Sequence, residues 1–346
     1  MVQLSIVCTR GNAVRWYPVS GFLGMSEVQV TGIVRTRLED DGRHLAGTCI
    51  DAAVRCYAER TGPGRNTIIL AEYTATLWQK PPGRASEPIG DKDLPFTITV
   101  PKSCSAASTM NFQSYRVFWR VEATCHHLPM MGLGTRQLKS YELALVRYDS
   151  RRLPSAIATT PFQTTTTRGK KRQISVEHQI QLPNTPVGPL DIIPVTVRLR
   201  PFGDDGARVA ALSLSVLRRL VFHDSPSTED LFQRTRSENA HANSLFADHD
   251  DITPSGSDVT LLASASPANA PAPAPVTASS KSSVLVLATT EATSIGIDES
   301  DYHTKTLHVS LPPPKSLNHW ALGETHSCAL ASISFHIAIK VSTVPT

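Results

Sequence analysis

Apolar and polar residues alternate along most of this chain. Leu94, Phe96, Ile98 and Val100 fall on one side of a two-residue repeat, and Pro95, Thr97 and Thr99 on the other. Successive side chains of a strand point to opposite faces, so the spacing predicts a half-buried strand. Tyr115, Val117, Trp119, Val121 and Ala123 alternate with Arg116, Phe118, Arg120 and Glu122 in the same way. A helix would place Trp119 beside Arg116 and Glu122 beside Phe118, scattering the apolar groups that a strand sorts. Trp119 therefore reads as a core residue. Between the two strands, PKSCSAASTMNFQS begins with a proline that cannot donate to a ladder, and it reads as a connection.

The same grammar runs through the rest of the chain. Val28, Val30 and Val34 share a face, and Gly32 between them marks a bulge or a close approach. Ile50 to Ala58 and the run TIILAEYTATLW read as strands; CHHLPMMGLGTRQLK reads as a loop, and SYELALVRY as the closing strand of a first domain, 1–150. Residues 151–172, rich in threonine and proline and ending in a basic cluster, read as a hinge. A second domain, 173–346, restarts the alternation at Ile174, Val176, His178, Ile180 and Leu182 and ends it at Ala331 to Val341. Inside it, residues 224–281 become rich in Ser, Ala, Pro, Asn and Asp, a composition expected to stay disordered, with one short helix expected over Ser227 to Ser237. The predicted fold class is all-β, as two tandem antiparallel immunoglobulin-like β-sandwiches.

Composition narrows the function classes. The 346 residues suit two domains of roughly 100 to 200 residues each. With 34 basic and 30 acidic residues the net charge is +4, too small an excess to suggest a nucleic-acid partner. No apolar run is long enough for a membrane helix, and the opening MVQLSIVCTR lacks the basic and apolar regions of a secretory leader. The six cysteines are accordingly expected as free thiols in a cytosolic protein.

LPFTITVPKSC followed by YRVFWRVEAT resembles the N-terminal domain of arrestin-like proteins, the fungal trafficking (alpha-) arrestins in particular. VTGIVRTRL, DAAVRCYAE and ILAEYTATLW are similar to the early strands of that family, and ASISFHIAIKV to its last C-terminal strand. The resemblance covers nearly the whole chain outside the low-complexity insertion. It implies a cytoplasmic adaptor, recruited to the plasma membrane or endosomes. Such adaptors bind cytosolic tails or loops of membrane transporters or receptors and bring a HECT-type ubiquitin ligase to them for endocytosis. In the family the ligase reads P-P-x-Y motifs. Here KPPGR and LPPPKS carry paired prolines with no tyrosine at the needed position, so ligase binding is expected to be indirect. A ligase-independent signalling or retromer-type scaffold, and a small-ligand or carbohydrate-binding sandwich, stay open as other classes.

No reactive centre is expected. Cys125, His126 and His127 are adjacent, so they point apart on an extended segment, and no second ligand pair completes a tetrahedral metal site. His178 lies on an apolar strand face and reads as a core histidine. No nucleophile elbow, phosphate-binding glycine loop or dinucleotide fingerprint occurs, and no cofactor is implied. The candidate partner site is the basic cluster Arg168, Lys170, Lys171 and Arg172, extended by Arg151 and Arg152. It would attract a phosphorylated cargo tail or an anionic membrane surface. By analogy with related adaptors, Lys170 and Lys171 could also accept ubiquitin.

Overall fold

The computed structural model describes residues 2–8, 16–61, 66–130, 134–148, 158–159, 163–168, 173–183, 185–188, 190–202, 207–223, 282–293, 295–298, 301–313 and 322–345. Residues 1–221 and 282–346 form one compact unit, and 222–281 a second. Nearly all of the second unit, including the expected helix over 227–237, lies outside the described residues.

The described residues form strands, and no helix occurs among them. The first half holds β1 (Val2–Val7), β2 (Val28–Leu38), β3 (Leu45–Arg60), β4 (Asn66–Gln79), β5 (Glu87–Ile89), β6 (Lys92–Val100), β7 (Met110–Asn111), β8 (Tyr115–Met130) and β9 (Gly134–Leu143). They pair as one sheet in the order β1-β2-β6 and another in the order β4-β3-β8-β7, with β5 on β3 and β9 on β8. The second half holds β10 (Ala158–Thr159), β11 (Gln163–Arg168), β12 (Gln173–Leu182), β13 (Ile192–Phe202), β14 (Ala207–Phe222), β15 (Ser282–Ala292), β16 (Gly296–Ile297), β17 (His303–Ser310), β18 (His326–Ser327) and β19 (Ala331–Pro345). These pair as β10-β12-β13-β17-β16 with β11 on β12, and as β15-β14-β19-β18.

The strands β6 and β8 lie in different sheets. β6 pairs antiparallel with β2, placing Phe96 opposite Gly32, whereas β8 pairs antiparallel with β3, placing Trp119 opposite Cys56. Phe96, Ile98 and Val100 are buried, while Pro95, Thr97 and Thr99 are exposed, as the alternation requires. Trp119 is fully buried, and its indole Nε1 donates 2.9 Å to the Ala107 carbonyl. In the second half one core draws on both sheets: Val195, Val197, Leu307 and Val309 from one, Leu212, Leu214 and Val216 from the other, with Ile337 and Ile339 packed against it. His178 is half-buried on β12, opposite Leu199.

Two expectations need correction, and a third region holds strands that its composition did not suggest. Residues 125–130 and 134–139 are strand rather than loop: β8 runs on to Met130 and β9 starts at Gly134, with Cys125 opposite Gln137 and Thr124 opposite Leu138. The polar content that suggested a loop belongs to arms of a hairpin, where the partner strand rather than apolar burial satisfies the backbone. The expected hinge over 151–172 contains β10 and β11, and β11 pairs with β12 from Gln163–His178 to Arg168–Gln173. Threonine is β-branched and suits a strand as readily as a linker. Finally, the polar face of β8 is not wet. Phe118 and Glu122 are buried there, stacked under or paired with neighbours. The Phe118 ring stacks on Tyr57 with centroids 5.3 Å apart, and the guanidinium groups of Arg116 and Arg120 lie 4.4 and 4.7 Å from its centre. Glu122 accepts from Arg55 at 2.6 Å and from the Tyr57 hydroxyl at 2.9 Å; Glu59 accepts from Arg116 Nε at 2.7 Å. A buried carboxylate is tolerated only when paired in this way.

Gly32 is a close approach and not a bulge, because the β2–β6 register passes it unbroken. A Cβ there would stand 2.0 Å from the Tyr17 hydroxyl oxygen and 3.0 Å from the Phe96 ring. Tyr17 is itself buried and donates 2.8 Å to the Thr31 carbonyl, so it has little room to yield. Gly32→Ala is expected to cost ~1–3 kcal/mol by overpacking. Trp119→Ala is expected to cost ~3–5 kcal/mol through the cavity it leaves. Thermal and denaturant melts check both, and a melting temperature equal to wild type for either variant would contradict the packing described.

Candidate functional site

The most elaborate polar arrangement lies where the two halves of the first unit meet. It is built on the connection after β6 and the segment after β9, both from the first half, and on the segment leading into β18, from the second. Thr109 N–H donates 2.8 Å to the Leu145 carbonyl, which fixes the first two segments together. Arg147 lies two residues further along. Its backbone N–H donates 2.8 Å to Ser108 Oγ, and its guanidinium donates 2.6 Å to the Cys104 carbonyl and also to the Ala106 carbonyl. The connection is thus pinned by a side chain, and the buried carbonyls that no ladder could reach are satisfied.

Glu324 crosses from the second half to this frame. Its Oε1 accepts 3.0 Å from Ser108 N–H, its Oε2 accepts from the Ser108 hydroxyl, and Arg147 Nε lies 4.0 Å from Oε1. A carboxylate held by two donors of one residue is oriented as well as bound, and a charged acceptor strengthens each bond. One residue before it, Gly323 has a φ of +80°, and a Cβ there would stand 2.6 Å from the Phe112 ring. Only glycine combines that backbone with that approach. Arg218 of β14 closes the contact from the other side: its guanidinium lies 4.2 Å from the centre of Phe112, and it donates 3.0 Å to the Leu322 carbonyl.

Four residues after Glu324, Cys328 reaches Tyr115 at the start of β8, with Sγ 3.3 Å from the phenolic oxygen. Burial works against ionising Cys328, but hydrogen bonds from His326, Tyr115 and the backbone of Leu330 and Ala331 outweigh it and bring the thiol down to about 7. Burial pushes the Tyr115 phenol well above its ordinary range. Burial likewise holds the neighbouring Cys56 thiol far up, and raises Cys49 to about 12 and Cys125 to about 11. All six cysteines are free.

Beside this seam opens a cleft of about 970 Å³. Arg147, Tyr148 and Ser105 line it from the first half; Pro183, Pro186, Ile193, Glu324, His326, Phe335 and His336 line it from the second. Its lining mixes prolines and aliphatic side chains with charged and polar groups.

Of the sequence-predicted cluster, only Arg168 is among the described residues. Arg168 ends β11, opposite Gln173, while Lys170, Lys171, Arg172, Arg151 and Arg152 lie outside the described residues. Cys125, His126 and His127 are separated by the pleat of β8. Cys125 is buried inward, His126 points outward with Nε2 3.4 Å from Asp51, and buried His127 has Nδ1 2.7 Å from the Leu128 carbonyl. No group of three metal-binding side chains occurs among the described residues. Alternation alone carried a sign of the seam. Leu143, Leu145 and Arg147 share one face, and an arginine continuing a buried apolar face needs a partner.

Glu324→Ala removes the acceptor of two Ser108 donors and leaves Arg147 without its carboxylate neighbour. It is expected to lower stability by ~1–3 kcal/mol, with Glu324→Gln retaining part of the loss-free geometry and falling between. Differential scanning calorimetry checks this; equal transitions for all three proteins would mean the seam is not held there. No protein-family model matches the chain, and no curated protein matches it in sequence.

Proposed function

We propose that the chain is a cytoplasmic adaptor of the arrestin-like kind, built as two immunoglobulin-like β-sandwiches, one in each half. The observation that carries this reading is the seam. Two all-β halves, each with buried residues on its antiparallel sheets, are tied by Ser108, Arg147, Glu324, Tyr115 and Cys328, and a cleft of about 970 Å³ opens beside the tie. Such a joint suits a scaffold that presents surfaces from both halves. The resemblance of the β6 and β8 sequences to arrestin-like strands supports the same reading.

In this proposal the cargo is an extended cytosolic segment of a membrane transporter or receptor. It would add to a sheet edge through main-chain hydrogen bonds or lie in the cleft. The basic residues Arg168, Lys170, Lys171 and Arg172 would engage an anionic membrane surface or a phosphorylated tail, at ~1 kcal/mol per residue near the surface. A HECT-type ubiquitin ligase would be reached indirectly, for want of a P-P-x-Y motif. No helix among the described residues is long and apolar enough to cross a membrane, so a peripheral association is the one proposed. The cleft lining includes two aromatic rings, Tyr148 and Phe335, with prolines and aliphatics around them. That lining is better matched to a peptide than to a sugar stacked on an aromatic platform.

Two experiments test the proposal. Proximity labelling in cells is expected to enrich plasma-membrane transporters or receptors together with ubiquitin ligases, and a labelled set without membrane cargo would overturn it. Liposome sedimentation is expected to show binding to vesicles rich in phosphatidylserine that falls severalfold when Arg168, Lys170, Lys171 and Arg172 are all replaced by alanine. Equal sedimentation of both proteins would remove the membrane-binding role from that cluster.

A further inference from the structure

β15 ends the order β15-β14-β19-β18, so among the described residues only β14 pairs with it. Its first five residues keep an unbroken register with β14, from Ser282 opposite Val221 to Val286 opposite Leu217. All five are exposed. Val284 and Val286 share one face and Leu285 takes the other, yet they stand 58, 56 and 50 % exposed. The core begins only beyond them, where Leu287 and Ala288 pack against it. The start of β15 is therefore an arm with apolar side chains open on both faces and an outer edge of unpaired main-chain groups.

Outer strands usually carry a charge or a proline that turns a further strand away. β4 carries Glu72, and β6 carries Lys92, Asp93 and Pro95. β15 has neither a charge nor a proline from Ser282 through Thr290. Its open edge is thus matched to another neutral, apolar strand.

We propose that this arm is a self-association edge, to which β15 of a second copy of the chain adds antiparallel about a two-fold axis through Leu285. The inference is independent of the adaptor reading, since it uses only β15 and its neighbour. Val284-Leu285-Val286 reads the same in both directions. Antiparallel pairing on that axis sets Leu285 against Leu285 and each Val284 against a Val286, so every central contact is apolar against apolar. Two identical strands meet here without opposing like charges, because they carry none over this stretch. The nearest cations, Arg218 and Arg219, lie on β14 opposite Leu285 and Val284. Across the joined sheet they would stand about 14 Å from their counterparts, three strand spacings away. That exceeds the screening length of about 8 Å at physiological salt. The same patch serves on both copies, so the contact closes at two and leaves no edge for a third.

The test uses the full chain. Sedimentation velocity from about 1 to about 100 μM is expected to move the weight-average mass from one chain toward two and no further. Leu285→Lys puts two like charges on the axis and should hold the protein as a monomer throughout. Its melting temperature should stay that of wild type, because the side chain is half exposed. Leu285→Cys reads the geometry directly. Facing residues of an antiparallel pair have Cα atoms ~4.5–5.5 Å apart, within the span of a disulfide. Mild oxidation should link copies of Leu285→Cys severalfold faster than wild type or Ile297→Cys, whose position is 59 % exposed on the other sheet of this half. The proposal is overturned if wild type stays monomeric at the top of the concentration range, or if it grows past dimers. It is equally overturned if Leu285→Lys associates as wild type does, or if the two cysteine variants link at the same rate.

Discussion

Every strand in this protein has two faces to satisfy, and the inner ones set the rest. The two-residue rhythm gives β6, β8, β13 and β14 one apolar face each, and an apolar face left to water forfeits ~25 cal/mol per Å². β8 has gone further. Its inner face holds fully buried Tyr115, Val117, Trp119 and Val121, and its outer face is covered too. On that outer side the cover is cationic. Arg116 and Arg120 lie over Phe118, and Arg55 and Arg116 reach down to Glu122 and Glu59. The stems of these arginines shield the ring, and their heads pair the acids, so one set of side chains answers both the apolar and the charged demand. The sheet can therefore remain central without a second apolar layer on its outside.

The join between the halves follows a different rule. It carries several directional contacts. Ser108 receives Arg147 and supplies both oxygens of Glu324; Arg147 meanwhile holds the Cys104 and Ala106 carbonyls. Hydrogen bonds to a charged group fix an angle, whereas apolar contact mainly fixes a distance. Interfaces between domains of one chain are commonly more polar than cores, and they part at lower cost.

The sequence was most informative where one face is clearly apolar. The strands at 94–100, 115–123 and 331–341 could be placed from periodicity, and so could the burial of Trp119. It was least informative where both faces are mixed. Residues 125–130 and 134–139 lie on the paired strands β8 and β9, with His126 and Leu138 facing outward, and no period stands out. The threonines of 163–167 serve as a strand as well as they would a linker, and only pairing with β12 decides between the two. The seam was hidden for another reason. Ser108 and Glu324 are 216 positions apart, and neither is unusual in its own surroundings. Arg147 alone broke a local rule, as the polar continuation of the face that Leu143 and Leu145 begin. Local rules broken in this way tend to lie at functional or strained places, since elsewhere they carry only a penalty.

The second half makes three of its contacts with the first from one short segment. Gly323 admits the Phe112 ring, Glu324 takes the Ser108 donors, and Cys328 meets Tyr115. The three are unlike in kind: a steric fit, an oriented charge and a polarisable sulfur. They are nevertheless coupled by the backbone, because His326 and Ser327 pair with Ile333 and Ser332, and Cys328 N–H bonds Ala331. Any movement of the segment is therefore a movement of the first turn of β19, whose Ala331 and Ile333 are buried. Closely packed elements shift between discrete arrangements and do not bend by degrees. A chemical change at any one of the three contacts would thus be felt by the other two and by the sheet behind them. That places three of the ties between the halves in the single segment 323–328.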